Sequence, residues 1–147
     1  MENRVNIEQT QAEAWKSLYG VAIVIGKSSL TPIQKHLIMI RTSQINNCAF
    51  CINMHTKEAL KLGETQQRIF LVSAWKETTL FSDEEKAILA LTEEVTLIHK
   101  NGVTDESYKN AQRFFSDQVI GEIIMQISVM NIWNRIAVST HKPLADQ

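Results

Sequence analysis

The chain carries two cysteines, Cys48 and Cys51, placed as Cys-Ala-Phe-Cys with His55 four residues beyond the second. The thiolate is the reactive form of cysteine, and a free thiol stays mostly protonated at neutral pH unless its surroundings acidify it. A second thiol three positions away supplies a partner for oxidation, and a nearby histidine supplies a base. Thiol chemistry or metal binding is therefore the first expectation.

Helical spacing sharpens it. If Cys48 sits at or just before a helix N-terminus, the free N–H groups and the helix dipole there favour an anion and acidify both thiols. His55 then lies one turn beyond Cys51, and Cys48, Cys51 and His55 form one stripe. Such a stripe suits His55 as the base for Cys51, directly or through a water. Cys48 is close enough to resolve an oxidised Cys51 as a disulfide. His36, 12 residues before Cys48, reaches the thiols only if the chain folds back between them. By spacing alone it is equally a histidine satisfied at the edge of the core.

Other uses of these residues compete. Cys48, Cys51, His55 and His36 could form a tetrahedral Cys2His2 zinc site, although such ligands usually come from two separated arms. A covalent c-type haem needs His directly after the second cysteine, and Ile52 stands there. A thioredoxin-like dithiol needs a βαβ setting. No phosphate-cradling glycine loop, serine elbow or acidic metal cluster is present, so no bound cofactor or metal is expected.

Composition sets the frame for that chemistry. With 147 residues, 44% hydrophobic and 21% charged, the chain is expected to form one domain over 1–147 with a substantial core. A net charge of -1 gives no reason to expect nucleic acid or an anionic membrane. The start, MENRVNIEQTQ, is polar and unlike a secretory signal, and no apolar run approaches the ~20 residues of a membrane span. A cytoplasmic location is expected, where a disulfide is more often catalytic than structural.

The elements that must position the thiols read as helices nearly throughout, so the fold class is all-α, a bundle of about six to seven helices. Ala12, Trp15, Leu18, Ala22 and Ile25 predict one buried helix face. Thr31-Pro32-Ile33-Gln34 predicts a capped helix start, and Asn46-Asn47 a break. The dithiol then opens a helix that runs through His55 and stops at Gly63. A short helix is predicted from Gln66 to about Trp75. Ser82-Asp83-Glu84-Glu85 opens another, with Ala87, Ile88, Leu91, Val95 and Ile98 inward and an end at Asn101-Gly102. Two more are predicted, Thr104 to Phe115 and Asp117 to about Ser139. Met39, Met54, Met125 and Met130 read as core filler. Trp15, Tyr19 and the aliphatic run from Val21 to Ile25, together with the apolar C-terminal helix, exceed what one small core needs, which predicts a homo-oligomer with the dithiol near an interface.

The stretch from Arg41 to Ala59, RTSQINNCAFCINMHTKEA, resembles the signature of AhpD-like alkylhydroperoxidases of the carboxymuconolactone decarboxylase superfamily. The resemblance continues through Gly63-Glu64-Thr65, Ser73-Ala74-Trp75 and Trp133-Asn134-Arg135, and so covers roughly residues 10 to 140. It implies an all-helical fold, a trimer or hexamer, and a dithiol that reduces hydrogen peroxide or organic hydroperoxides. Cys51 matches the peroxidatic cysteine, Cys48 the resolving one that meets the reductant, and His55 the proton-relay histidine. The implied reductant is an external dithiol, on a lipoyl-carrying or thioredoxin-like protein. Two positions depart from the pattern: His36 stands where a glutamate is usual, and Asn47 where a glycine is usual. A non-enzymatic zinc or redox-sensing domain remains the alternative. The superfamily's lactone-decarboxylating members are a further one, though they generally lack the dithiol.

Overall fold

A computed structural model describes residues 4–144. Nine α-helices occur among the described residues: α1 (Ile7–Thr10), α2 (Ala12–Gly26), α3 (Pro32–Ile45), α4 (Ala49–Lys61), α5 (Gln66–Leu71), α6 (Asp83–Thr96), α7 (Ile98–Asn101), α8 (Asp105–Gln112) and α9 (Asp117–Ser139). A 3-10 helix, Val72–Glu77, follows α5, and no strand occurs among the described residues. Setting aside the four-residue α1 and α7 leaves seven helices, the expected bundle. None of the helices is long and apolar enough to cross a membrane.

The two helices central to the core begin where their side chains satisfy orphan backbone donors. Thr31 Oγ1 accepts from the Gln34 N–H, and Gln34 Oε1 accepts from the Thr31 N–H, which starts α3 with Pro32 at its first position. Ser82 and Glu85 close the same box at the start of α6. Ile38 of α3, Ile88 and Leu91 of α6, and Ile120, Ile123 and Ile127 of α9 form one core cluster, each at most 1% exposed. Burying each such side chain contributes about 1.5–3 kcal/mol. Leu37, Ile40, Ala59, Trp75 and Leu89 form a second cluster that fastens α4 to the other side of α3.

Glu93 of α6 ties these layers together. Its carboxylate accepts from Arg41 Nε (2.9 Å) and Nη2 (2.8 Å), from Trp75 Nε1 (2.9 Å) and from Lys76 Nζ (2.9 Å). Burial pushes its pKa up, but the hydrogen bonds from Lys76, Trp75 and Arg41 outweigh it and hold the group below the usual carboxylate range. A carboxyl with a lowered folded-state pKa stabilises the fold fully above its unfolded value, about 4.3, and loses that contribution as pH falls through the folded value. Urea unfolding is therefore expected to show stability dropping as pH falls below about 4.3, and Glu93→Gln should flatten that acid slope. An unchanged slope in Glu93→Gln would remove Glu93 from the acid response.

Several elements differ from the sequence reading. The stretch 66–77 is α5 followed by the 3-10 helix rather than one helix. Because α6 ends at Thr96, Ile98 falls on the separate α7 and lies 61% exposed rather than inward. Met130 is core, whereas Met125 is 48% exposed. The face of α2 is only partly covered: Ile25 is buried, Trp15, Leu18 and Ala22 are half-buried, and Ala12 is exposed. α2 leans on α9 through Trp15 and Trp133, whose rings meet edge to face at 5.0 Å, and Val24 remains 69% exposed.

Candidate active site

The turn between α3 and α4 brings the chemistry together. Asn46 ends α3, Asn47 takes a left-handed φ of 54°, and Cys48 returns to extended backbone. The Asn47 N–H donates to Gln44 O (3.2 Å) and the Cys48 N–H to Ser43 O (3.0 Å). These are the paired bonds of a Schellman end, in which the left-handed residue is normally Gly or Asn. Asn47 thus holds a left-handed conformation that a glycine would adopt without strain. Cys48 is the N-cap of α4, its Sγ accepting the Cys51 N–H at 3.3 Å, as the spacing predicts. At the other end, Gly63, with φ 94°, closes α4 where expected.

A buried polar network anchors this turn to α9. Asn46 Nδ2 donates to Asn131 Oδ1 (2.9 Å) and Asn134 Oδ1 (3.0 Å), and Asn134 Nδ2 donates to Ser43 Oγ (3.1 Å). Asn131 Nδ2 in turn donates to Thr96 Oγ1 (3.3 Å), and Arg135 Nη1 to Asn131 Oδ1 (2.9 Å). Asn134 is fully buried, so removing its amide strands polar groups of Asn46 and Ser43 away from water. Asn134→Ala is expected to cost about 2–4 kcal/mol from the stranded groups and the cavity. Equilibrium denaturation reads this, and a loss within experimental error would show that the network does not hold the turn.

Cys48 and Cys51 are joined as a disulfide, with Cα atoms 5.3 Å apart. Both are almost wholly buried, at 1% and 2% exposed. With the two sulfurs bonded to each other, neither serves as a zinc thiolate, so the four-ligand Cys2His2 set is not formed. Cys51 lines a cavity of about 490 Å³ together with His55, Glu58, Phe50, Met130 and Trp133. Cys48 does not line it. Lys142 Nζ stands at this cavity over the rings of Phe50 (4.5 Å) and Trp15 (5.8 Å).

The chain folds back as needed for His36 to join. Its ring centroid lies 5.8 Å from that of His55, at a tilt of 52°. His55 Nδ1 lies 3.0 Å from Glu58 Oε2 on the same helix. A carboxylate accepts, so Nδ1 carries the hydrogen and Nε2 of the neutral ring is the basic atom. Burial lowers the His55 pKa, with Glu58 opposing through its hydrogen bond and charge. Burial also lowers the His36 pKa, reinforced by the His55 charge and opposed by Glu58. Both rings are therefore neutral near pH 7, the form able to accept a proton. His36 Nδ1 is buried with no hydrogen-bond partner among the described residues.

The structure thus gathers all four expected residues into one region. Glu58 is the member that the sequence reading missed. Its signal was present in His55-Thr-Lys-Glu58, since residues three apart on a helix are neighbours.

Comparison with known proteins agrees with this arrangement. The sequence model described as the carboxymuconolactone decarboxylase family matches residues 11–94. The uncharacterized protein YdfG of Bacillus subtilis (strain 168) is 39% identical over 139 residues, covering 95% of each chain. The crystal structure of ATU0492 from Agrobacterium tumefaciens, a protein of unknown function for which a role as the antioxidant-defence protein AhpD is suggested, superposes with a TM-score of 0.93 at 35% identity. That match covers 97% of this chain and 98% of the other. A peroxidase-related protein from Ralstonia eutropha JMP134, described as an alkylhydroperoxidase AhpD core, shares the fold with a TM-score of 0.83 at 15% identity, covering 95% of this chain and 74% of that one. By sequence match, helix arrangement and dithiol, this chain belongs to the carboxymuconolactone decarboxylase family, as an AhpD-like member.

Proposed function

We propose that the protein is a thiol-dependent peroxidase that reduces hydrogen peroxide or organic hydroperoxides. The observation that carries this reading is a bonded Cys48–Cys51 pair whose Cys51 shares an apolar cavity with a neutral, buried His55. In the reduced enzyme, His55 takes the Cys51 proton. The thiolate attacks the distal oxygen of the hydroperoxide, the O–O bond breaks, and the alcohol or water leaves with a proton returned by the histidine. Cys51 is then a sulfenic acid. The Cys48 thiolate attacks that sulfur, water departs, and the disulfide of the structure results.

An external dithiol completes the cycle by exchange and leaves as its own disulfide. A lipoyl arm suits the burial of both sulfurs better than a broad protein surface does, because a slim dithiol can enter the cavity and attack Cys51, the cysteine that lines it, rather than Cys48, which the resemblance has meet the reductant. The same reading takes the chain as a cytoplasmic homo-oligomer, a trimer or hexamer, packed through the apolar face of α2. Tyr19, Ile23 and Val24 support it, at 57%, 54% and 69% exposed. A monomer mass by light scattering at micromolar concentration would contradict the assembly.

The test of function is a peroxide-consumption assay with dihydrolipoyl and thioredoxin-type donors. Catalytic turnover with at least one donor is expected. Reduced protein that meets excess hydroperoxide and keeps both thiols free by mass spectrometry would overturn the reading.

A further inference from the structure

One atom cluster beside the dithiol has the makings of a second use. His36 of α3 and His55 and Glu58 of α4 each offer a donor atom, and these atoms all lie within 4.8 Å of one another. We propose that His36, His55 and Glu58 form a binding site for a divalent transition-metal ion, a two-histidine, one-carboxylate set distinct from the cysteines.

Three observations carry it. The His55 and Glu58 donors already stand 3.0 Å apart. Atoms bound about 2.0–2.2 Å from one ion lie about 3–3.6 Å from each other, so this pair is at ligand spacing. The i, i+3 placement of an imidazole and a carboxylate on one helix, completed by a ligand from a facing helix, is how helical bundles build metal sites. Finally, His36 is 91% buried, from an exposure of 9%, and its Nδ1 finds no hydrogen-bond partner among the described residues. A buried imidazole with an unsatisfied nitrogen carries a cost, which an ion bound through that nitrogen would remove.

The widest donor pair must close by roughly 1 Å to reach ligand spacing. The Glu58 side chain, 48% exposed, has room to follow an ion while staying beside His55. Three donors leave coordination positions open, and His55 and Glu58 both line the cavity that holds Cys51. Imidazole with carboxylate suits zinc, iron, nickel or copper better than calcium or magnesium.

The site stands whether or not the protein turns over peroxide. If it does, an ion held here takes the His55 ring out of proton transfer and inhibits the enzyme reversibly.

Isothermal titration with Zn²⁺ tests binding directly, on protein whose cysteines are fully oxidised so that no thiol can serve as ligand. One ion per chain is expected. His36→Ala and His55→Ala should each weaken binding by at least about 100-fold, and Glu58→Gln by at least about 10-fold. His99→Ala, on the exposed α7, should bind as the unaltered protein does. Thermal melts establish that each variant is folded. Should His36→Ala fail to fold, the histidine ring resonances of the unaltered protein decide instead: zinc must shift those of both His36 and His55. No binding tighter than about 100 μM, zinc binding that survives His36→Ala, or zinc that leaves the His36 and His55 resonances unmoved would each overturn the site.

Discussion

Cys51→Ser is expected to reduce peroxide consumption by at least about a thousandfold, to the background of the donor alone. No other thiol lines the cavity, and a serine hydroxyl there has neither the acidity nor the polarisability to attack an O–O bond. Cys48→Ser should behave differently. One hydroperoxide per chain is still reduced, but Cys51 is then trapped as a sulfenic or over-oxidised acid because nothing condenses with it. Mass spectrometry distinguishes the two variants by oxygen additions on Cys51. If Cys48→Ser turned over at the full rate, Cys48 would not be the resolving thiol.

His55→Ala is expected to lower the rate of Cys51 oxidation by about 100- to 10,000-fold, the range for a positioned acid–base group. The ring is neutral, its Nδ1 is committed to Glu58, and it shares a cavity wall with the thiol. His36→Ala should cost less, about 10- to 1000-fold, if His36 works through His55 as a second base. His36→Glu then restores the usual family arrangement and should keep most of the activity. Stopped-flow oxidation of the reduced protein reads these steps without the reductant. Should His36→Ala alter stability but leave the oxidation rate untouched, His36 would be a filler of the core edge and no part of the relay.

How much of this was legible in the sequence depends on how far each cause reaches along the chain. The starts of α3 and α6 are written within four residues by Thr31–Gln34 and Ser82–Glu85, and both boxes form. The break at Asn46-Asn47, the cap at Cys48 and the stop at Gly63 are equally local, and so was the helix between them. The end of α6 at Thr96 was not legible, since no glycine or proline marks it, and Ile98 was assigned to the wrong face as a result.

Long-range pairings were also out of reach. Asn134 reads as a polar residue near the end of an apolar helix, yet its partners Asn46 and Ser43 lie 88 and 91 positions away. The coverage of α2 was misjudged for the same reason, because periodicity shows that a face is apolar and not what lies against it. The two departures from the family pattern also prove unequal. Asn47 accepts the left-handed backbone of a glycine and leaves the turn intact. His36 replaces a carboxylate with an imidazole, which changes the charge beside His55.

The sulfur that caps α4 belongs to the residue that forms the disulfide. A thiolate accepts a hydrogen bond more strongly than a sulfur already bonded to another sulfur. The cap bond is present with the disulfide formed, so the start of α4 is held by the same atom that exchanges electrons. Any substitution at Cys48 therefore removes two things at once, the partner thiol and the cap, and a serine there returns only the cap.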